Sequence, residues 1–212
     1  MVLYRRNFLP GGTYFFTVTL ADRQAALLTD RIDALGAAFR QCRAAHPFET
    51  LAIAVLPVHL HCVWTLPEGD ADHAIRWSLI KRGFTRRQHH EGPTPSRARK
   101  GVWQTRYREH TVRDELDLQR HIDYIHFNPV KHGHARRAVD WPHSSFRRYV
   151  QQGWLAADWA GDTEGTEGEF GVCPTCDRSA SRHGGKARSP AAAAAACENG
   201  KKGGRPRATA AT

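Results

Sequence analysis

The stretch LAIAVLPVHLHCVWTL, residues 51–66, constrains the fold more than any other part of the chain. Two apolar, β-branched runs, 48–56 and 58–66, are separated by Pro57. Proline removes a backbone donor and fixes its own φ, so the break predicts a turn between consecutive strands. His59 and His61 stand at the start of the second run with Leu60 between them. Side chains on a strand alternate faces, so both imidazoles share one face while Leu60 points into the core behind them. Two neutral imidazoles side by side can hold one metal ion; a pair of satisfied histidines at a strand end is the competing reading.

The remaining elements follow from periodicity. TYFFTVTL (13–20) is a buried strand by its β-branched and aromatic content. Asp30 is expected to cap a helix from Arg31 to Ala45, with Ile32, Leu35, Ala38, Phe39 and Cys42 at helical spacing and Pro47 beyond its end. Asp70 or Asp72 opens a second helix, running through Arg87. Ile75, Leu79, Ile80 and Phe84 line its apolar face, and Lys81, Arg82, Arg86 and Arg87 make it basic. A basic loop (89–101) leads to an extended segment (102–112). A helix over 113–128 follows, with Leu118, Ile122 and Ile125 as its buried stripe and Pro129 as its stop. WPHSSFRRYV (141–150) has no clear period; His143 and Ser144 sit in a turn that touches DNA or caps a helix.

Strand, helix, strand, strand, helix, strand, helix is the order of the split β-α-β unit. The expected fold is α+β, a ferredoxin-like antiparallel sheet with helices on one face and the other face open for ligands. Residues 1–150 form the expected domain and 151–160 a connecting segment. From Gly161 the composition turns acidic and Gly-rich, then basic with a six-alanine run, so 161–212 reads as a low-complexity, disordered tail. Within it, Cys173 and Cys176 form a Cys-x-x-Cys pair that could join His183 or Cys197 around zinc. A basic tail without zinc is the favoured reading. GGRPR (203–207) resembles an A·T-hook core, with plain phosphate contact as the simpler alternative.

Of 212 residues, 41% are hydrophobic, enough for one sizeable core. No apolar run reaches the roughly 20 residues of a membrane span, and the N-terminal stretch lacks a secretory core, so a cytoplasmic location without membrane association is expected. The net charge of +10, with aromatic residues among the basic ones, favours a polyanionic partner, first of all nucleic acid.

Tyr124 and Asn128 lie four apart on the last predicted helix and share a face. His121 and His126 flank the tyrosine in sequence. A phenol, with an ordinary pKa of about 10, is a weak nucleophile until a base, cation or metal assists it. A metal on His59 and His61 can polarise a phosphodiester oxygen while Tyr124 attacks phosphorus in line. Asn128 supplies a third, oxygen ligand. Mixed N/O ligation and a transfer reaction favour Mg²⁺ or Mn²⁺, and no nucleotide cofactor is called for.

YRRNFLPGGTYFFTVTL, His59-Leu60-His61 and HIDYIHFNPVKHG, in that order, resemble the REP-associated tyrosine transposases, HUH single-tyrosine endonucleases related to the single-strand transposases of small insertion sequences. WQTRYREH and WPHSSF fit the same pattern, and the resemblance covers residues 1–150. It implies a ferredoxin-like fold, a divalent metal on His59 and His61, Tyr124 as nucleophile, and cleavage of single-stranded DNA carrying palindromic hairpins. It also implies a monomer, with a homodimer as the alternative. Arg5 and Arg6 are candidates to hold the foot of a hairpin, Lys81, Arg82, Arg86 and Arg87 are candidate phosphate contacts, and Trp103 and Tyr107 are candidate base-stacking residues, with burial in the core as the alternative for Trp103. Two other readings compete: a non-catalytic hairpin-binding protein on the same fold, and a zinc hydrolase, which lacks an H-E-x-x-H helix here.

Overall fold

The computed structural model describes residues 7–22, 25–90 and 101–159. Four strands, β1 (Thr13–Thr19), β2 (Glu49–Val55), β3 (His59–Thr65) and β4 (Arg108–Thr111), form one antiparallel sheet in the order β2-β3-β1-β4. This is the ferredoxin-like arrangement, with β1 and β3 as the two central strands.

Between β1 and β2 lie a one-turn helix, α1 (Leu27–Asp30), and α2 (Ile32–Ala45). Asp30 does not cap α2, as the sequence suggested. It closes α1, and Arg31 occupies the cap position of α2 without a side-chain bond. α3 (His73–His90) is capped by Asp72, whose carboxylate accepts from the Ile75 N–H at 2.9 Å. Asp70 instead binds the buried guanidinium of Arg76 at 2.7 Å.

Strand alternation separates two cores. Tyr14, Phe16 and Val18 of β1 and Leu60, Cys62 and Trp64 of β3 face α2 and α3. Trp64 stacks on Trp77 of α3 with ring centroids 4.3 Å apart. Phe15, Val63, Ala52 and Ala54 face the opposite way, toward α4 (Glu115–Lys131) and α5 (Phe146–Gln151). That second face, expected to stay open, is thus covered along β2 and β3 by α4. Leu118, Ile122 and Ile125 pack there as the periodicity predicted. A bulge between Thr50 and Ala52 turns Leu51 to the same side, and its carbonyl accepts from the Tyr149 hydroxyl and the Arg148 guanidinium.

Residues 143–145 dock on the outer edge of β2, with Val55 N–H donating to His143 and Ser145 N–H to Ile53. This pairing protects the edge. Ser144 accepts from the Phe146 N–H in a turn just before α5, whose cap position is held by Ser145. Trp154, Leu155 and Trp159 join the second core, so the segment expected only to connect is packed onto the domain. Arg5, Arg6, Cys173, Cys176 and the tail motifs lie outside the described residues. No helix among the described residues is long and apolar enough to cross a membrane.

Candidate active site

The histidine pair sits where alternation requires. Leu60 is fully buried on the α2/α3 side. The His59 and His61 rings lie on the α4 side, centroids 4.9 Å apart. In register, Thr17 stands opposite His61, and its hydroxyl is 2.9 Å from His61 Nδ1. With the Nδ1 proton donated to that oxygen, the Nε2 lone pair is available to a ligand, the arrangement by which a hydrogen-bonded neighbour fixes a metal-binding tautomer. Burial, then the neighbouring cationic groups of His59, His132, Lys131 and His121, hold the His61 pKa well below its ordinary value. The ring is neutral, which is the ligating form.

α4 brings the second half. Its start is set by Asp114, whose carboxylate accepts from the Asp117 N–H at 2.8 Å. Its end is not at Pro129. The helix runs through Pro129 to Lys131 and stops in a Schellman motif: Gly133 N–H donates to Val130, His134 N–H donates to Pro129, and Gly133 adopts φ +70°. A proline forfeits one helical bond, but burial of Val130 against the second core keeps the extra turn in place. That turn carries Lys131 and presents His132 at the cap.

Tyr124, Asn128 and His132 consequently share one helix face. The Tyr124 ring meets His61 edge-on, with centroids 5.1 Å apart, and the His132 ring meets His59 at 5.3 Å. Asn128 lies between them in the helix and is fully buried. Neither its amide nitrogen nor its carbonyl oxygen has a hydrogen-bond partner. Leaving such a group unmet costs about 1–3 kcal/mol. The ammonium of Lys131 lies 5.4 Å from the centre of the Tyr124 ring. Two imidazoles and an unspent amide oxygen next to a phenol are a donor set that fits a divalent cation of mixed N/O preference.

No protein-family model matches the chain. The REP-associated tyrosine transposase of Escherichia coli (strain K12) is 45% identical over 167 residues, 78% of this chain and 96% of its own. The chain belongs to the REP-associated tyrosine transposases. A relative from Haemophilus influenzae is 44% identical over 166 residues, covering 76% of this chain and 94% of its own. The solved structure of a REP-associated tyrosine transposase bound to a REP hairpin superposes with a TM-score of 0.70 at 44% identity, covering 81% of this chain and 98% of that one.

Within this chain, other expected site residues are distributed unevenly. His126 does not serve Tyr124. Two residues on along a helix it points to the far side, where its Nε2 meets Ser145 Oγ at 2.9 Å among Phe146 and Tyr149. Burial pushes its pKa down to about 3. Asp123 also turns toward the α5 side, where its charge acts on Tyr149; burial pushes its carboxyl up to about 7. His121 packs on Phe15 rather than on the phenol, ring centroids 4.6 Å apart.

Lys81, Arg82 and Arg86 line a cleft of about 720 Å³ between α3 and residues 101–107. Arg87 leaves that group; its guanidinium turns back to the Gly83 carbonyl and to Gln41 of α2. Trp103 and Tyr107 are core residues more than stacking platforms. The Trp103 indole N–H donates to the Lys81 carbonyl, and the Tyr107 hydroxyl is 2.9 Å from His73 Nδ1. Both still line the cleft, where the Lys81 ammonium lies over their rings.

Lys131 and His132 were not singled out from sequence, because a helix ending at Pro129 places neither over the histidine pair. The i, i+4, i+8 series Tyr124, Asn128, His132 was the available signal. A second group also went unread. His110 of β4, Asp117 and His121 have ligand atoms all within 4.8 Å of one another, a set that could hold a metal ion.

Proposed function

We propose that this chain cleaves and rejoins single-stranded DNA next to a REP-like hairpin, using Tyr124 as nucleophile and a divalent cation held by His59, His61 and Asn128. The reading is supported most by the buried, partnerless amide of Asn128, set between a tyrosine against His61 and a histidine against His59. Such an amide is a cost to the fold that a bound ligand recovers.

The Tyr124 hydroxyl oxygen forms a bond to the backbone phosphorus, and the bond from that phosphorus to the 3′ oxygen breaks. The phenolic proton is the one the departing 3′ oxygen needs, so the products are a 5′-phosphotyrosine and a free 3′ hydroxyl. The ester keeps the bond energy, and a second 3′ hydroxyl can reverse the step without a nucleotide cofactor. Mg²⁺ or Mn²⁺ bound at this donor set would supply Lewis-acid polarisation of a non-bridging oxygen. Lys131 brings a positive charge to the ring on which negative charge develops. Thr17 holds the His61 ring in its ligating tautomer.

The hairpin partner follows from kinship with a transposase solved bound to a REP hairpin. Lys81, Arg82 and Arg86 serve its phosphates from the α3 cleft, and Arg5 and Arg6 precede β1 as further phosphate contacts. Action on chromosomal repeats implies a cytoplasmic protein, and the site assembles from one chain, so a monomer suffices. The test is Tyr124→Phe on a hairpin oligonucleotide with Mg²⁺. Cleavage is expected to fall below detection while hairpin affinity stays unchanged. A phenylalanine variant that still nicks would remove Tyr124 from the chemistry, and a parent chain that binds the hairpin without forming a covalent adduct would favour a non-catalytic hairpin binder.

A further inference from the structure

We infer that His110, Asp117 and His121 form a second, zinc-type metal site that staples the edge strand β4 to the nucleophile helix. Three observations carry it. The ligand atoms lie within 4.8 Å of one another and come from two elements that are otherwise joined only by the short turn 112–114. The residues are of the right chemistry: two imidazoles and one carboxylate, with His121 and Asp117 one helical turn apart so that both project from the same face of α4. They are also already held as ligands would be. His110 Nε2 is 2.8 Å from one Asp117 oxygen, His121 Nδ1 is 3.4 Å from the other, and the two rings stack at 4.7 Å.

His110 Nε2 is hydrogen-bonded to the carboxylate, while His121 Nδ1 faces the Asp117 backbone carbonyl at 2.7 Å. A cation in place of the proton between His110 and Asp117 draws in the His121 ring and keeps the same three groups together. Zinc at about 2.0–2.2 Å from each donor places tetrahedral ligands roughly 3.4 Å apart, so ring shifts of about an ångström complete the site. His121 gives up its 2.7 Å contact with the Asp117 carbonyl to do so, and Arg113, whose guanidinium is 3.4 Å from Asp117, moves off into solvent. The Arg113 N–H, 3.1 Å from the same carboxylate, remains as its orienting bond. The His110 side chain, 23% exposed, leaves room for a water as fourth ligand.

This site is separate from the histidine pair on β3. The Phe15 ring stands between them, touching His61 on one side and His121 on the other. The inference therefore does not need Tyr124 or the DNA reaction, and its test does not read cleavage.

The experiment measures zinc per chain, after chelator treatment, reloading and dialysis, in the full chain carrying Cys173→Ser and Cys176→Ser so that the tail pair does not contribute. Cobalt reloading gives a visible spectrum for the same site. With His59→Ala added to this background so that the pair on β3 does not contribute, His110→Gln and Asp117→Asn are each expected to lose the one equivalent and the cobalt bands that His59→Ala alone keeps. Zinc is expected to raise the melting temperature of His59→Ala and to leave that of His59→Ala/His110→Gln unchanged. His110 is partly exposed, so its metal-free melting temperature reports whether the variant is folded. Undiminished zinc in folded His59→Ala/His110→Gln, or cobalt bands that vanish in His59→Ala alone, would overturn the inference.

Discussion

The two faces of the sheet are built from the same strands by opposite rules. Toward α2 and α3 the side chains are Tyr14, Phe16, Val18, Leu60, Cys62 and Trp64, closed by Trp77, Ile80 and Phe84. Toward α4 they include Thr17, His59 and His61, set near Tyr124, Asn128, Lys131 and His132. One face lowers the free energy of the fold by burying aromatic area. The other retains the buried His61 imidazole and an unmet amide, groups that lower stability unless something binds them. These polar groups collect at the His59 end of β3.

The contrast can be broken or sharpened by substitution. The largest stability effect belongs to the first face. Trp77→Ala should cost about 3–5 kcal/mol in chemical denaturation, because the cavity left against Trp64 and Phe16 has no flexible neighbour to fill it. A loss under 1 kcal/mol would mean the aromatic core is not the stabilising face.

Next comes Asp123, on the α5 side of α4. Its folded pKa of about 7 lies above the ordinary 3.8, so the folded state binds the proton more tightly. Stability from this group is present below pH 3.8 and lost as pH rises through about 7. Asp123→Asn should therefore be more stable than the parent by up to about 4 kcal/mol above neutrality, and equal to it in acid. Parallel pH profiles for the two proteins would reject the buried carboxyl.

A smaller gain is expected at the site itself. Asn128→Leu replaces a buried, partnerless amide by an apolar side chain of similar size and should stabilise the metal-free fold by about 1 kcal/mol, with cleavage lost. Destabilisation would show that the amide is already satisfied. The smallest effect lies in the α3 cleft. Arg82→Ala and Arg86→Ala should each lower the salt slope of hairpin binding by about 0.7–0.9, leaving cleavage of bound DNA intact. Arg87→Ala, turned toward α2, should leave that slope unchanged.

The first face was legible because its signals are local. Alternation in TYFFTVTL and HCVWTL and the 3.6-residue period of α2 and α3 each specify what they bury. His59, His61 and Tyr124 were legible for the same reason, two parities and one helix. What stayed hidden depends on tertiary balance. Pro129 is a helix breaker by local rule, yet burial of Val130 and the Gly133 Schellman turn carry α4 beyond it, and Lys131 and His132 with it. His126 is a neighbour of Tyr124 in sequence and faces away in space. Trp103 and Tyr107 look like stacking residues in a basic segment, but partners in the folded core, Lys81 and His73, claim their polar atoms. His110 meets Asp117 and His121 only because β4 pairs with β1 at Phe15.

The central claim is that the Tyr124 oxygen and the His59–His61 pair act on one phosphorus. The most direct measurement is mass spectrometry of the covalent complex trapped with a hairpin oligonucleotide in Mg²⁺. The account predicts a single peptide carrying a 5′-phosphonucleotide on Tyr124, absent when His61 is replaced by alanine. A nucleotide found on another residue, or an adduct at Tyr124 that forms equally well without His61, would contradict it.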